Sequence, residues 1–481
     1  MIDIEKVKID PAWALKIPPA IAIRRQVLAI SAIDGYLHVA CNDLQNTNGL
    51  RAVEKAVDIP IKAELADARA LKESIKKIYG ERASNQLAAS QANDAEDTIQ
   101  LSNSIIDAAM MKGASDIHID PDKNELRIRF RVDGQMELFQ SLPQSQHSSL
   151  MSRLKVLAHM DIAEKRIPQD GYIKHESSIL AEILEIRVAT LPTKYGERMT
   201  MRLMAMGTED LTVEKLGMSK KDFQVLENSL AQPHGMILLT GPTGSGKTTT
   251  LYGALRELMK TDSLNIITIE DPIEFDLNGV AQVEIDNEKM TFSSALKSVL
   301  RHDPDVVMIG EIRDQETASI AMKAAITGHL VLSTLHTNSA PSVITRLIDM
   351  GVERFLVAAT VRLAAAQRLV RGLCQHCKYE RPISAVEALA LGQESLAGEP
   401  SYEAKGCLYC GGRGHLGRVG LFEMLQIDTE ISRLVSHGCE EGELFDQMSQ
   451  KNMNSLIEDG LEKIASGMTT VQEVLRVCAV Q

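Results

Sequence analysis

The stretch Gly241-Pro242-Thr243-Gly244-Ser245-Gly246-Lys247-Thr248 decides the fold of this chain. It follows an apolar run at 236–240 and precedes a predicted helix, which is the order of strand, glycine loop and helix in a phosphate-binding loop. The N–H groups of such a loop surround phosphate oxygens, and the helix directs its positive end at the same anion. We expect Lys247 to reach the β- and γ-phosphates, and the Thr248 hydroxyl to bind Mg²⁺. The predicted nucleotide site comprises the eight quoted residues and Thr249.

The composition is that of an ordinary globular protein, with 44% hydrophobic and 24% charged residues. The net charge of −13 and the aromatic content of 4% argue against a general nucleic-acid binder, because such a protein needs positive surface and stacking rings. No apolar run approaches the roughly 20 residues that span a bilayer, and the N-terminus does not resemble a signal peptide. We therefore expect a cytoplasmic protein.

Patterning along the chain predicts six segments. An α/β module that docks partners is expected at 1–80, with a hairpin turn at Asp34-Gly35 and a last helix that Gly80 ends. A polar, flexible linker at 81–98 follows, since large apolar residues are almost absent from it. The remaining segments are an arginine-rich domain at 99–212, a nucleotide-binding core at 213–366, a cysteine-containing subdomain at 367–425 and a helical region at 426–481.

Arginines alternate with apolar residues on several predicted strands of the 99–212 segment. Arg127, Arg129 and Arg131 share one strand face, which is either a solvated surface or an electropositive surface turned toward another subunit's nucleotide. Arginines on later strands, Arg187, Arg198 and Arg202, are placed in the same way. The planar guanidinium binds oxyanions through two N–H groups, which suits a γ-phosphate.

Polar side chains end three predicted buried strands of the core. Glu270 ends the first, Glu311 ends the second, and His336 ends the third. Because the carboxyl ends of parallel strands meet at one sheet edge, these groups are expected beside the glycine loop. Either Glu270 or Glu311 could orient or deprotonate the attacking water, while His336 is either a γ-phosphate sensor or structural. Helices at 340–350 and 353–366 are predicted to close the core.

Two C-x-x-C pairs, Cys374/Cys377 and Cys407/Cys410, have the spacing of a four-thiolate zinc site. Such a site is structural, because four sulfurs leave no open position for water. His376 and His415 are then not ligands. The isolated cysteines, Cys41, Cys439 and Cys478, are predicted to be small apolar core residues.

Together these residues resemble the assembly ATPases of type II secretion and type IV pilus machines. Beyond the glycine loop and the cysteine pairs, the resemblance rests on Ala114-Ser115-Asp116-Ile117-His118-Ile119, Met160-Asp161-Ile162-Ala163-Glu164-Lys165-Arg166-Ile167-Pro168-Gln169-Asp170-Gly171, Ile269-Glu270-Asp271-Pro272-Ile273-Glu274, Gly310-Glu311-Ile312-Arg313-Asp314 and Gly328-His329-Leu330-Val331-Leu332-Ser333-Thr334-Leu335-His336-Thr337-Asn338.

The resemblance implies an α/β chain in which a RecA-like P-loop NTPase core follows a PAS-like α+β domain. It implies a homo-hexamer that binds ATP, Mg²⁺ and Zn²⁺, with the ATP between the two domains. Arg187 and Arg202, and less surely Arg198, would act as arginine fingers. The partners would be an inner-membrane platform protein and a membrane docking protein on the cytoplasmic side, with no nucleic acid.

The resemblance also places the chain at the inner membrane through those partners. The cysteine pairs favour assembly over retraction, since the family's retraction members lack them. The N-terminal module lacks the extended glycine–leucine pattern of the versions that bind cyclic dinucleotides, so no cyclic di-GMP is expected. Two other functions stay open from the sequence: a nucleic-acid or conjugative DNA-transfer ATPase, and a nucleotide-dependent scaffold without turnover.

Overall fold

The computed structural model describes residues 1–57, 59–88, 94–177, 183–204, 216–261, 263–286 and 289–478. They form two compact units. The first contains Met1–Met206, Leu373–Tyr379 and Glu403–Gly417, and the second contains Gly207–Gly372, Glu380–Tyr402 and Arg418–Gln481. The predicted boundary at 212 and the predicted linker positions 89–93 lie outside the described residues.

The N-terminal module is a three-stranded sheet covered by helices. Its elements are α1 (Pro11–Ala14), α2 (Pro19–Arg25), β1 (Val27–Ile33), β2 (Tyr36–Cys41), α3 (Thr47–Glu54), β3 (Ile61–Leu65) and α4 (Ala68–Ala88). β1 and β2 pair antiparallel across the turn at Asp34 and Gly35, both of which have positive φ. This confirms the predicted hairpin. Cys41 is fully buried in the core of the module, as predicted.

The polar segment after the module is helical in its described parts. Helix α4 continues past Gly80 to Ala88, and α5 (Asp94–Lys112) begins within the predicted linker. The expectation that Gly80 ends the helix is therefore wrong. The segment contains alanine, glutamate, glutamine and arginine, which favour helix even where large apolar residues are absent.

The arginine-rich domain has a six-stranded antiparallel sheet in the order β6-β5-β4-β9-β8-β7. After α5 come β4 (Ala114–Pro121), β5 (Glu125–Val132), β6 (Gln135–Pro143), α6 (His147–Leu157), β7 (Gln169–Glu176), β8 (Ile183–Thr193) and β9 (Gly196–Met204). Leu126, Ile128, Phe130 and Val132 of β5 enter the core, as the alternation predicted. The arginines between them therefore lie on the opposite face of the sheet.

The nucleotide-binding core is built on a seven-stranded sheet in the order β12-β11-β13-β14-β10-β15-β18. Its first elements are α7 (Lys220–Leu230), β10 (Gly235–Thr240), α8 (Lys247–Met259), β11 (Ile266–Glu270), β12 (Ala281–Glu284), α9 (Phe292–Val299), β13 (Val306–Ile309), α10 (Gln315–Ile326) and β14 (Leu330–Leu335). Neighbouring strands from β12 to β15 pair in parallel, so their carboxyl ends meet at one edge. Apolar side chains bury both faces of the sheet.

One predicted helix is partly wrong. Helix α11 (Pro341–Asp349) matches expectation, but α12 (Arg354–Thr360) stops short of 366 and is followed by strand β15 (Val361–Leu373). The predicted segment boundary between 366 and 367 falls inside this strand. β15 pairs in parallel with β10, the strand that leads into the glycine loop. A buried strand rich in alanine lacks the alternation that distinguishes a strand from a helix.

The rest of the second half comprises β16 (Lys378–Pro382), α13 (Ala385–Ala390), β17 (Pro400–Ala404), β18 (His415–Gln426), α14 (Thr429–His437), α15 (Glu441–Gln450), α16 (Leu456–Ala465) and α17 (Val471–Cys478). The four C-terminal helices confirm the predicted helical region. Cys439 and Cys478 are partly buried against the main core, consistent with apolar packing.

Candidate functional site

The glycine loop lies between a fully buried strand and a helix. All six residues of β10 are buried, and Thr240 at its end donates to Leu335 O (3.2 Å) and accepts from Thr337 N (2.7 Å), which fixes β10 to the end of β14. Helix α8 begins at Lys247, directly after Gly246. The predicted strand, loop and helix are therefore all present.

Lys247 is buried within its own loop. Its Nζ donates to Gly241 O at 2.7 Å and to Pro242 O at 3.2 Å. Burial lowers the pKa of Lys247, and the negative charge of Glu311 opposes that shift. The ammonium thus lies where the loop closes, and it experiences the charge of a carboxylate that follows β13, two strands away from β10 in the sheet.

Glu270 is buried at the end of β11, and both of its carboxylate oxygens are occupied. It accepts hydrogen bonds from Thr268 Oγ1 (2.6 Å), Gln282 Nε2 (3.1 Å) and the Tyr252 hydroxyl. Burial raises the pKa of Tyr252, and the hydrogen bond to Glu270 adds to the shift. Because Tyr252 lies on α8, Glu270 connects β11 with the helix that follows the glycine loop.

Glu311 lies in a more open position. It accepts a hydrogen bond from Arg313, and His336 Nε2 lies 3.4 Å from its Oε2. Burial acts to raise the pKa of Glu311, but the hydrogen bond and charge of Arg313, together with His336, outweigh it and lower the pKa. His336 is half exposed. The structure therefore brings Glu311 and His336 together at the sheet edge, with an arginine that the sequence analysis did not select.

Gln367 of β15 lies against the glycine loop and was missed by sequence reasoning. Its Oε1 accepts from Thr250 Oγ1 at 2.8 Å, while its Nε2 is buried and finds no hydrogen-bond partner among the described residues. A Cβ on Gly241 would come within 2.4 Å of Gln367 O, and one on Gly246 within 2.9 Å of Gln367 Nε2. The only sequence signal was a pair of polar residues, Gln367-Arg368, inside an apolar run.

The neighbouring Arg368 fixes the segment that carries His336. It donates to Asn338 O at 2.7 Å, and burial lowers its pKa. Glu423 of β18 accepts from Ala340 N at 2.7 Å in the same segment, and burial raises its pKa. Two buried charged residues from outside the nucleotide motifs therefore hold the backbone after β14.

In the first unit, carboxylates pair with most of the arginines on the sheet face. Arg202 Nε donates to Asp116 at 3.0 Å, while its side chain remains 65% exposed. Arg198 pairs with Asp120 at 2.8 Å. Arg187 lies opposite Arg202 on neighbouring strands, and its side chain makes no hydrogen bond or ion pair with the residues that the structure describes.

The earlier strand follows the same rule. Arg127 pairs with Asp122 and Glu125, whereas Arg129 pairs with Asp120 at 2.7 Å. The face therefore carries a network of arginine–carboxylate ion pairs. Arg202 and Arg187 have the most guanidinium N–H groups without an acceptor among the described residues.

The four predicted zinc ligands converge. Sγ atoms are separated by 3.8 Å between Cys374 and Cys407, 3.9 Å between Cys377 and Cys410, and 3.8 Å between Cys407 and Cys410. A tetrahedral ion with bonds of about 2.3 Å requires sulfurs about 3.8 Å apart, so the four cysteines fit zinc. The N–H groups of Cys407 and Gly414 each donate to Cys410 Sγ at 3.2 Å, which suits a thiolate.

Similarity to known proteins identifies the family of this chain. Residues 91–476 match the family model described as "Type II/IV secretion system protein", and residues 1–85 match the MshEN domain. This chain belongs to the type II/IV secretion ATPase family. The secretion ATPase is 46% identical over 385 residues to "Type II secretion system protein HxcR" of Pseudomonas aeruginosa, covering 80% of the chain and 78% of that relative.

A further relative matches almost the whole of this chain. The "Type IV pilus assembly ATPase PilB" of Myxococcus xanthus is 37% identical over 501 residues, covering 98% of the chain and 88% of the relative. Among solved structures, the pilus retraction motor PilT with bound ADP has a TM-score of 0.53 at 25% identity, covering 78% of this chain and 96% of that one. The ATPase DotB of Legionella pneumophila has a TM-score of 0.59 at 20% identity, covering 78% and 95%, and shows the shared fold.

These matches confirm the predicted family, the RecA-like core and ATP hydrolysis as the activity. Among the described residues, no helix combines the length and the apolar character needed to cross a bilayer.

Proposed function

We propose that this secretion ATPase hydrolyses ATP in the glycine loop with Glu311 as the residue that orients or deprotonates the attacking water. The observation that carries the proposal is the position of Glu311 beside His336 and Arg313 at the edge of the sheet that holds the glycine loop. Glu270 is less suited to that role, because three hydrogen bonds already occupy its carboxylate. We assign Glu270 to positioning α8 through Tyr252.

The loop supplies the remaining ligands. Its N–H groups, from Gly241 to Thr249 with the exception of Pro242, would surround the phosphates, and Lys247 would exchange its two carbonyl partners for phosphate oxygens. Thr248, which is half-buried, would hold Mg²⁺ through its hydroxyl, and the ion would supply positive charge to the phosphates. His336 Nε2 lies 3.4 Å from the carboxylate that also accepts from Arg313, and we propose that His336 senses the γ-phosphate through Glu311.

Arg187 and Arg202 are proposed as arginine fingers, with Arg198 as a weaker candidate. The support is their chemistry: Arg187 has no internal partner among the described residues, and Arg202 is 65% exposed. Such a finger contributes roughly 10³-fold or more to phosphoryl transfer in other NTPases. We propose that the fingers reach a nucleotide within a homo-hexamer of this chain.

The motor is proposed to act at the inner membrane through a platform protein and a docking protein on its cytoplasmic side. There it would power the assembly of a pilus or pseudopilus, with no nucleic acid as a partner. Relatives named for type II secretion and for type IV pilus assembly support this role, and their names do not separate the two systems. Zinc, bound by the four cysteines, would be structural.

A subunit-mixing experiment tests the shared site. Arg187→Ala and Lys247→Ala are each expected to abolish turnover, because one lacks the finger and the other the phosphate ligand. When the two variants are co-assembled, some sites combine an intact loop with an intact finger from a neighbour, so ATPase activity should return in part. Arg127→Ala, which alters an exposed ion pair on the same sheet, is the matched control and should retain activity. Mixed assemblies of confirmed size that stay inactive would refute fingers acting between subunits.

A further inference from the structure

The second cysteine pair lies against the N-terminal module. Lys8 N donates to Leu408 O at 3.0 Å, and Leu408 and Tyr409 pack on the apolar core of the module. Gly412 also approaches the module, since a Cβ there would lie 3.4 Å from Ile33 Cγ1. All of these residues belong to the first compact unit. The loop 407–413, here called the knuckle, is therefore a contact surface for the module.

Charged groups complete the contact. Arg413 Nη1 lies 3.5 Å from Asp133, in the turn between β5 and β6, and 3.6 Å from Glu137 of β6. Lys112 lies 3.4 Å from Asp10 of the module and 3.8 Å from the same Glu137. The knuckle, the module and the arginine-rich domain thus meet around one partly buried set of charges.

The contact residues are held by the cysteines. Leu408 and Tyr409 lie between Cys407 and Cys410, so the metal ligands flank the residues that touch the module. The ring of Tyr409 also stacks on His376 of the first pair, with centroids 3.9 Å apart. A tetrahedral metal would fix both pairs at once, and structural zinc sites contribute directly to the stability of the backbone that they hold.

We propose that the N-terminal module docks on the knuckle and that metal in the four-cysteine site controls whether the module stays docked. The inference rests on the zinc assignment. It gives the structural zinc a function: to hold the module in place, rather than to stabilise the core alone. Loss of metal would loosen 407–413, release the Lys8–Leu408 hydrogen bond and leave the fold of the module intact.

Two neighbouring amides allow a sharp test. Lys8 N–H is bonded to the knuckle, whereas Asp10 N–H is bonded to Ile30 O at 2.6 Å, inside the module. Residue-resolved hydrogen exchange is measured on the full chain without nucleotide, before and after zinc removal with EDTA. The exchange of Lys8 should accelerate at least about tenfold, while that of Asp10 changes by less than about threefold.

Three outcomes would overturn the proposal. Zinc loss without a change in the hydrogen exchange of Lys8 would show that metal does not control docking of the module. Equal acceleration at Lys8 and Asp10 means that the metal supports the fold of the module, not its position. A chain purified without any zinc refutes the zinc assignment, and with it the metal control; metal analysis of the same samples separates this outcome from the first.

A variant that keeps all four cysteines tests the docking contact without removing the metal. Arg413→Ala should retain zinc and accelerate exchange at Lys8 by about threefold or more, because it removes the ionic contacts with Asp133 and Glu137 and the 3.3 Å hydrogen bond from Arg413 Nε to Cys410 O. Arg418→Ala, an exposed arginine just beyond the knuckle, is the matched control and should change neither zinc content nor exchange. Unchanged exchange in Arg413→Ala would show that these charges do not hold the module.

Discussion

Replacing Gly241 by alanine should disrupt the nucleotide loop far more than the same change at Gly244. Gly241 has φ of +146°, and an added Cβ would lie 2.4 Å from Gln367 O and 2.7 Å from Ser245 Oγ. Gly244 has φ of +79°, and its added Cβ would meet nothing within 4 Å. Both glycines therefore have a positive φ that alanine disfavours, but only the substitution at Gly241 creates a steric clash with β15.

The magnitudes follow from that difference. Gly244→Ala costs about 1–2 kcal/mol, the strain of a left-handed conformation. Gly241→Ala adds overpacking of about 1–3 kcal/mol to backbone strain of about 1–3 kcal/mol, so it should cost about 2–6 kcal/mol. Because the backbone carbonyl of Gln367 belongs to a buried central strand, the loop rather than the strand is expected to move.

Urea unfolding with and without ADP measures both effects, since the transition that ADP shifts reports the nucleotide-binding core. Gly241→Ala should lower the free energy of that transition by about 1–4 kcal/mol more than Gly244→Ala does, which is the difference between costs of about 2–6 and about 1–2 kcal/mol. It should also weaken ADP binding by about tenfold or more, since about 1.4 kcal/mol is a tenfold change. Equal stability and equal ADP affinity in the two variants would refute the close contact between the loop and β15.

Three further predictions concern other sites. Gln367→Met should weaken ADP binding about threefold to tenfold. It should cost little stability, because Thr250 keeps Gly246 O as a second hydrogen-bond acceptor at 3.2 Å. Calorimetric titration with ADP measures the affinity, with the exposed Gln224→Met as the control. Glu473 is 3% exposed, and although burial opposes the shift, hydrogen bonds from Arg476 and Arg371 lower its pKa from 4.5 to about 2. Its contribution of about 3 kcal/mol to the free energy of unfolding is therefore present above pH 4.5 and lost as the pH falls toward 2. Glu473→Gln should have a lower free energy of unfolding than the unsubstituted chain at pH 7, and the difference should vanish in acid. Cys374→Ser should lose the one zinc expected per chain, whereas the serine variant of the isolated Cys439 retains it, as measured by elemental analysis.

Local chemistry made much of the site predictable. The glycine loop, the strand-end residues Glu311 and His336, and the two cysteine pairs each combine residue type with short spacing, and the structure brings each set together. The choice between Glu270 and Glu311 was not available from the sequence, because both follow buried strands. It depends on Tyr252 and Gln282, whose side chains reach Glu270 from other elements.

The errors come from tertiary context. The run at 361–366 looks helical because it is rich in alanine, and only pairing with β10 makes it a strand. Gln367 carries no motif, since its role depends on contacts with a loop more than one hundred residues earlier in the chain. Small, polar residues after Gly80 are typical of a linker, yet several of them also favour helix.

The most direct test of the central claim is single-turnover ATP hydrolysis by Glu311→Gln and Glu270→Gln, with ADP affinity measured on the same samples. We expect Glu311→Gln to slow hydrolysis by about 10²- to 10³-fold, the usual contribution of a general base, while ADP affinity stays within about threefold. Glu270→Gln should lose less than about tenfold in rate and show a lower unfolding midpoint, because it disturbs the bond to Tyr252. Hydrolysis that survives in Glu311→Gln and is abolished in Glu270→Gln would contradict the assignment.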